Sequence, residues 1–191
     1  MSQSRVEQAL ESLASRALES RALAGRVASL AGRYAAVLRD GGTLFFCGNG
    51  GSAADAQHLA TEYVVRYGDT RPAFSAIALT TDSSLLTAAG NDFGFDRIFA
   101  RQIEALCRAG DLLVLHSTSW RSANLVCAAR AARAKGVFTI AFLGRDGGPL
   151  AAEVDEAVLV PTKETSEIQV LQLALEHVIV ELVEAELGSA P

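Results

Sequence analysis

The sequence predicts an α/β protein: a parallel sheet with helices on both faces, preceded by a helical arm. Two observations carry this expectation. After Gly41-Gly42, short apolar runs alternate with stretches of helical periodicity. Such alternation implies right-handed crossovers between parallel strands. Before that point, apolar residues recur at spacings of three and four over residues 4 to 38 (Val6, Leu10, Leu13, Leu18, Leu23, Val27, Leu30, Tyr34, Leu38), interrupted only by Gly25 and Gly32.

The strands are expected at Thr43 to Cys47, Ser75 to Leu79, Leu112 to Leu115, Val137 to Phe142 and Ala157 to Val160. The helices are expected at Ser52 to Arg66, Ser83 to Ala89, Phe95 to Cys107, Ser122 to Ala134 and Glu164 to Leu187. The helical segment over 1–40 is longer than one sheet requires. Either it packs on the domain or it is an arm that buries a second face in another subunit, and the second reading is preferred. The α/β core then occupies 41–187 of a single domain spanning 1–191. The last residues, Gly188-Ser189-Ala190-Pro191, read as a frayed tail.

Composition narrows the classes. The 191 residues are 50% hydrophobic, which suits a globular domain with a real core. A net charge of −5 with scattered Lys and Arg argues against a nucleic-acid footprint. The three cysteines, Cys47, Cys107 and Cys127, match no metal or redox spacing and read as buried thiols. Without a leader pattern or a membrane-length apolar run, the chain is expected in the cytoplasm, with no membrane partner.

The richest stretch runs from Leu44 through Gly48-Asn49-Gly50-Gly51-Ser52 to His58 and Glu62. It reads as a strand, a glycine turn and a helix. Small residues let backbone N–H groups approach an anion at a helix start, and Ser52 adds a hydroxyl. The spacing is neither that of a dinucleotide fingerprint nor that of a Walker loop, so nucleotide binding is a poor reading. A second hydroxyl-rich turn, His116-Ser117-Thr118-Ser119-Trp120-Arg121-Ser122, enters another helix at the same edge of the sheet. Capping accounts for one of its hydroxyls, Ser122, but not for four in six positions. Two such turns can converge on one phosphate.

His58 and Glu62 stand four apart and share a helix face. In the last helix, His177 follows Gln169 by about two turns. If the last helix meets the second, these four residues suit a mixed nitrogen and oxygen zinc site. The competing reading is that helical histidines are structural. His116 ends a strand near the hydroxyl turn, with no strong reason to be catalytic. Asn91-Asp92 follows a short helix expected to end at Gly90. Asp92 is either the cap of the next helix or a partner for sugar hydroxyls.

The motifs CGNGGSAADAQH, ALTTD, GNDFGF, FARQIEAL, GDLL, STS and GRDGG, in that order, resemble the phosphoheptose isomerases of the sugar-isomerase (SIS) domain superfamily. The resemblance runs from about residue 3 to 187. It implies a five-stranded parallel αβα sandwich and a homotetramer with active sites at subunit interfaces. It also implies isomerisation of sedoheptulose 7-phosphate to D-glycero-D-manno-heptose 7-phosphate, a step toward bacterial surface polysaccharide. By position, Asn49, Gly50, Gly51, Ser52, Ser117, Thr118, Ser119 and Ser122 hold substrate, chiefly its phosphate, and Asn91 and Asp92 lie against the sugar. Glu62 and His177 match the catalytic pair, with Glu62 and Gln169 also meeting substrate. His58, Glu62, Gln169 and His177 match zinc ligands. Two departures stand out: the family's STSGNS is STSWRS here, and its IQE-x-H-x-x-x-GH keeps only Gln169 and His177 of its site residues, with Val170 and Gln172 at the other Glu and His positions. Trp120 narrows the pocket or opens the loop outward, and Arg121 offers a phosphate contact. The alternative to the isomerase is a non-catalytic SIS module that binds a sugar phosphate or a protein partner, as in a replication-initiator-associated relative.

Overall fold

A computed structural model describes residues 2–119 and 121–188. Trp120 and the tail residues Ser189, Ala190 and Pro191 lie outside them. Five parallel strands, β1 (Leu44–Gly48), β2 (Ala76–Ala78), β3 (Leu112–Ser117), β4 (Phe138–Leu143) and β5 (Glu156–Leu159), form one sheet in the order β2-β1-β3-β4-β5. β1 and β3 pair in register from Leu44↔Leu112 to Gly48↔His116. The three central strands are apolar almost throughout, as strands covered on both faces must be.

The pleat sorts these side chains between two cores. Leu44, Phe46, Leu112, Val114, Ile140 and Phe142 face one layer. It is built from α2 (Ala24–Arg39), α3 (Gly51–Val64) and α8 (Thr165–Leu187), through Leu30, Tyr34, Leu59, Tyr63, Ile179 and Val183. Phe45, Cys47, Leu113, Leu115, Ala141 and Leu143 face the other layer: α4 (Ser83–Phe93), α5 (Ile98–Leu106) and α6 (Ala123–Ala134). The expected three-layer αβα sandwich is therefore present, and each strand lies within about two residues of its sequence-read position.

The N-terminal segment divides in two. After α1 (Ser2–Glu19) and one 3₁₀ turn, α2 packs one face into the core through Val27, Leu30, Ala31, Tyr34 and Ala35. α1 instead leaves Val6, Leu10 and Leu18 exposed, touching the body through Leu13 and a hydrogen bond from Ser12 Oγ to Glu167 Oε1 of 2.6 Å.

Three local readings are corrected. α4 does not stop at Gly90: it is capped by Asp82 Oδ1 on Leu85 N and runs to Phe93, because the left-handed backbone that ends it falls at Gly94 (φ 85°). Asn91 and Asp92 thus lie inside this helix, and Asp92 caps nothing: its carboxylate accepts from Asn91 Nδ2 at 2.8 Å. The next helix opens with a 3₁₀ turn at Phe95–Arg97, and a short α7 (Gly148–Ala151), begun by Pro149, lies between β4 and β5.

One connection ties two helices together. Between α3 and β2, the Arg71 side chain is 1% exposed and its Nε donates to Glu184 Oε1 of α8 at 2.7 Å. Glu184 also accepts the backbone N–H groups of Tyr67 and Gly68 at 2.8 and 2.9 Å. Burial favours the neutral acid, but these donors and the Arg71 charge outweigh it and hold the Glu184 carboxyl below its ordinary range.

Two outcomes are expected. Leu112→Ala, at a fully buried central position, lowers stability by about 2–5 kcal/mol, read as a lower urea midpoint at unchanged slope. Because the folded Glu184 pKa is depressed, its stabilisation is complete above the unfolded carboxylate range and lost as pH falls through the folded value. The urea midpoints of the native protein and Glu184→Gln therefore differ at pH 7 and converge at strongly acidic pH.

Candidate active site

The strand order places a crevice at the carboxyl ends of β1 and β3. From there one connection turns to the α3 face and the other to the α6 face, the arrangement in which open parallel sheets bind ligands. Both sequence-read turns lie on this rim. Gly50 adopts φ 59° and ψ −121°, a conformation suited to glycine, and leads directly into α3. Gly51 follows, exposed, and Ser52 is buried in the first turn. A Cβ on Gly51 would lie 2.0 Å from Gln169 Nε2, so the Gln169 amide rests on this glycine, bringing α8 to the glycine turn.

On the other turn, Ser117 Oγ donates to the Ser119 carbonyl oxygen, and Ser119 Oγ lies 3.4 Å from Ser122 Oγ. Thr118 is partly exposed beside them. Ser122 occupies the N-cap position of α6, yet its hydroxyl makes no capping bond. The two turns are joined by a reciprocal amide pair: Asn49 Nδ2 donates to Asn124 Oδ1 at 2.9 Å, and Asn124 Nδ2 donates to Asn49 Oδ1 at 2.8 Å. Asn124 is 2% exposed. The sequence reading overlooked it, although a polar amide in the first turn after a hydroxyl loop is the kind of residue that ties such loops together.

Farther along α3, His58, Glu62 and His177 come together. His58 Nε2 lies 2.9 Å from His177 Nε2 and 3.3 Å from Glu62 Oε1, and one ligand atom from each residue falls within 4.8 Å of the other two. Two imidazole nitrogens at hydrogen-bond distance accommodate one proton between them. Burial and the neighbouring His58 push the His177 pKa below its ordinary value, against the opposing pull of Glu62. A neutral imidazole keeps a lone pair for a proton or a metal. Tyr67 packs its ring against His177 with centroids 5.2 Å apart, a contact the sequence did not announce.

The remaining residues lie apart from this trio. Asn91 and Asp92 are exposed on α4, next to the exposed Phe93. Arg121 is exposed at the hydroxyl turn. His116 is fully buried on the α8 face of the sheet, its Nε2 2.5 Å from Glu176 Oε2. Burial works against its charge, but Glu176 reverses that and raises the His116 pKa. His116 is thus a core residue, ringed by Phe46 and Phe142.

The donor set of the trio, two imidazoles and a carboxylate around one point, fits zinc. Gln169 stands about 12 Å before His177 along the axis of α8, two turns toward the glycine turn. No helix among the described residues is long and apolar enough to cross a membrane.

Comparison with known proteins agrees with this geometry. Residues 7–144 match the SIS domain family. The chain is 49% identical over 172 residues to a phosphoheptose isomerase of a Bradyrhizobium species, covering 90% of this chain and 87% of the relative. It is 48% identical to that of a Roseiflexus species, covering 84% and 82%. The solved phosphoheptose isomerase of Neisseria gonorrhoeae superposes with a TM-score of 0.91 at 39% identity, covering 97% of this chain and all of the other. That of Francisella tularensis gives 0.93 at 31% identity, covering 97% and 99%. With a shared fold and similarity of this extent, the chain belongs to the phosphoheptose isomerase family of SIS-domain proteins.

Proposed function

We propose that this isomerase converts sedoheptulose 7-phosphate to D-glycero-D-manno-heptose 7-phosphate through an enediol. The observation that carries the reading is the meeting of His58, Glu62 and His177 below a rim built for an oxyanion. Gly51 and His58 are seven residues apart on one helix, an axial rise of about 10 Å. This suits a ligand with phosphate at one end and a reactive carbonyl at the other.

In this reading the phosphate sits in the cradle of Asn49, Gly50, Gly51 and Ser52, facing the hydroxyls of Ser117, Thr118, Ser119 and Ser122. That the Ser122 hydroxyl caps no helix N–H and turns instead toward Ser119 Oγ supports that role. The first-turn N–H groups of α3 and α6 add their partial positive charge. Glu62 takes the carbon-bound proton next to the carbonyl and returns it to the neighbouring carbon. His177, held neutral, moves the proton between the two oxygens. Gln169, on Gly51, contacts the sugar between the two ends. His58, Glu62 and His177, with Gln169 as a fourth donor, are the residues that would hold zinc, and a lone pair engaged by the metal is not free to carry a proton, so at any one atom the two roles of Glu62 and His177 exclude each other. When bound, zinc supplies a Lewis-acid charge to the carbonyl oxygen.

Asn91 and Asp92 belong to the same reading through assembly. They are exposed beside Phe93 and Phe95, which are 55% and 63% exposed, while α1 exposes Val6, Leu10 and Leu18. Apolar surface of this extent supports a homotetramer in which Asn91 and Asp92 meet the sugar at a subunit boundary. The substrate class fits a cytoplasmic enzyme. The competing non-catalytic module needs a phosphate cradle but has no use for a converging His-Glu-His trio.

The deciding assay incubates the purified protein with sedoheptulose 7-phosphate, with and without zinc, and follows aldose formation. Binding without conversion selects the non-catalytic module. Glu62→Gln is expected to lower kcat by about 10²- to 10⁴-fold while calorimetry shows sugar-phosphate binding retained. Gly51→Ala pushes the flexible Gln169 amide off its seat. It is expected to keep the melting temperature and to weaken sugar-phosphate binding about tenfold, or about 1.4 kcal/mol.

A further inference from the structure

We infer that Arg71 and Glu184 are positioning residues for the reaction. They form a buried clasp that fixes the distance between α3 and α8 and so holds His58, Glu62 and His177 in register. The inference deepens the isomerase reading and rests on it.

Arg71 spends most of its fork on this task, with Nη1 also donating to the neighbouring Pro72 carbonyl oxygen at 3.0 Å. Its Nη2 donates to the Glu62 carbonyl oxygen at 2.7 Å and its Nη1 to the Tyr63 carbonyl oxygen at 2.9 Å. Both carbonyls belong to the last turn of α3, which terminates at Val64 and leaves its final carbonyls without intrahelical donors; the Tyr63 oxygen also accepts the Phe74 N–H at 3.1 Å. A cation there satisfies them and complements the helix dipole. The guanidinium thus grips the backbone of the proposed base itself. Its Nε pairs with Glu184 Oε1, and its face lies 3.9 Å from the centre of the Phe74 ring.

Glu184 stands seven residues after His177 on α8, two turns along and near the same face. Its carboxylate holds Arg71 and also the N–H groups of Tyr67 and Gly68. Tyr67 in turn lays its ring on His177. One ion pair therefore fixes the Glu62 backbone, the Tyr67 ring and the α3–α8 spacing together. The paired side chains are 1% and 10% exposed, so water and salt compete weakly for them. A lysine carries the charge but cannot span two carbonyls and a carboxylate with one planar fork.

The experiment compares Arg71→Lys and Glu184→Gln with the native protein and with Arg130→Gln, which breaks an exposed ion pair far from the site. Each protein is assayed well below its melting temperature for kcat and KM. Zinc affinity is measured on metal-free protein by competition with a chromophoric chelator. The three histidine ring signals are recorded by NMR. Loss of outer-shell support typically costs about 10- to 100-fold in activity or metal affinity. A loss of that size is expected in kcat and in zinc affinity for both clasp variants, with KM within about threefold. The His58 and His177 signals shift while that of His116 stays. Arg130→Gln matches the native protein throughout. The inference is overturned if the folded clasp variants keep native kcat, zinc affinity and histidine signals and differ only in melting temperature, which is the behaviour of a purely structural pair. Failure of the native protein to convert the sugar defeats the isomerase reading alone, since the histidine signals still decide whether the clasp sets the trio.

Discussion

The neighbouring strands β1 and β3 constrain the whole site. They run side by side in register, yet the chain leaves one toward the α3 layer and the other toward the α6 layer. Two helix starts are thereby aimed across one crevice, each preceded by a turn of glycine or hydroxyl residues. Partial positive charge collects where no lysine or arginine is required. A sheet with the same strands in simple sequential order would give the turns no such gap to face.

The polar groups beneath the rim show two ways of paying for burial. The Asn49–Asn124 pair satisfies donor and acceptor on both amides, and the Arg71–Glu184 clasp satisfies a fork and a carboxylate together. Both are stiff, closed networks. His116 and Glu176 pair across β3 and α8, but His116 Nδ1, Glu176 Oε1, Gln172 Oε1, Tyr34 OH and Asp55 Oδ2 have no hydrogen-bond partner among the described residues. Removing one member of such a pair is far costlier than replacing both with apolar groups, because the survivor is left as an isolated buried charge.

Much of this was readable from the chain. Continuous apolar runs marked the strands, and the i, i+4 spacing put His58 and Glu62 on one face. The second half of the site was less readable. His177 reaches them only because α8 packs beside α3, and helix order within a layer is set by tertiary contacts that no local pattern records. Arg71, just before Pro72, looks like a solvated loop cation until the fold closes over it. His116 lies on a strand with both faces buried, so period-two alternation assigns it to a layer but gives no contrast of inside and outside. In α4, Gly90 read as a stop signal, yet the backbone required a left-handed residue four positions later, at Gly94.

Cys47 sits one residue before Gly48, where the glycine turn begins, and it is wholly enclosed on the α4–α6 side of the sheet. Burial drives its thiol far above the ordinary range, and that of Cys107 up to about 12. Since the thiolate is the reactive form, both sulfurs are chemically silent near neutrality. A catalyst that turns over sugar carbonyls therefore keeps a cysteine at the threshold of its binding loop without exposing it to hemithioacetal formation or alkylation by its own reactants.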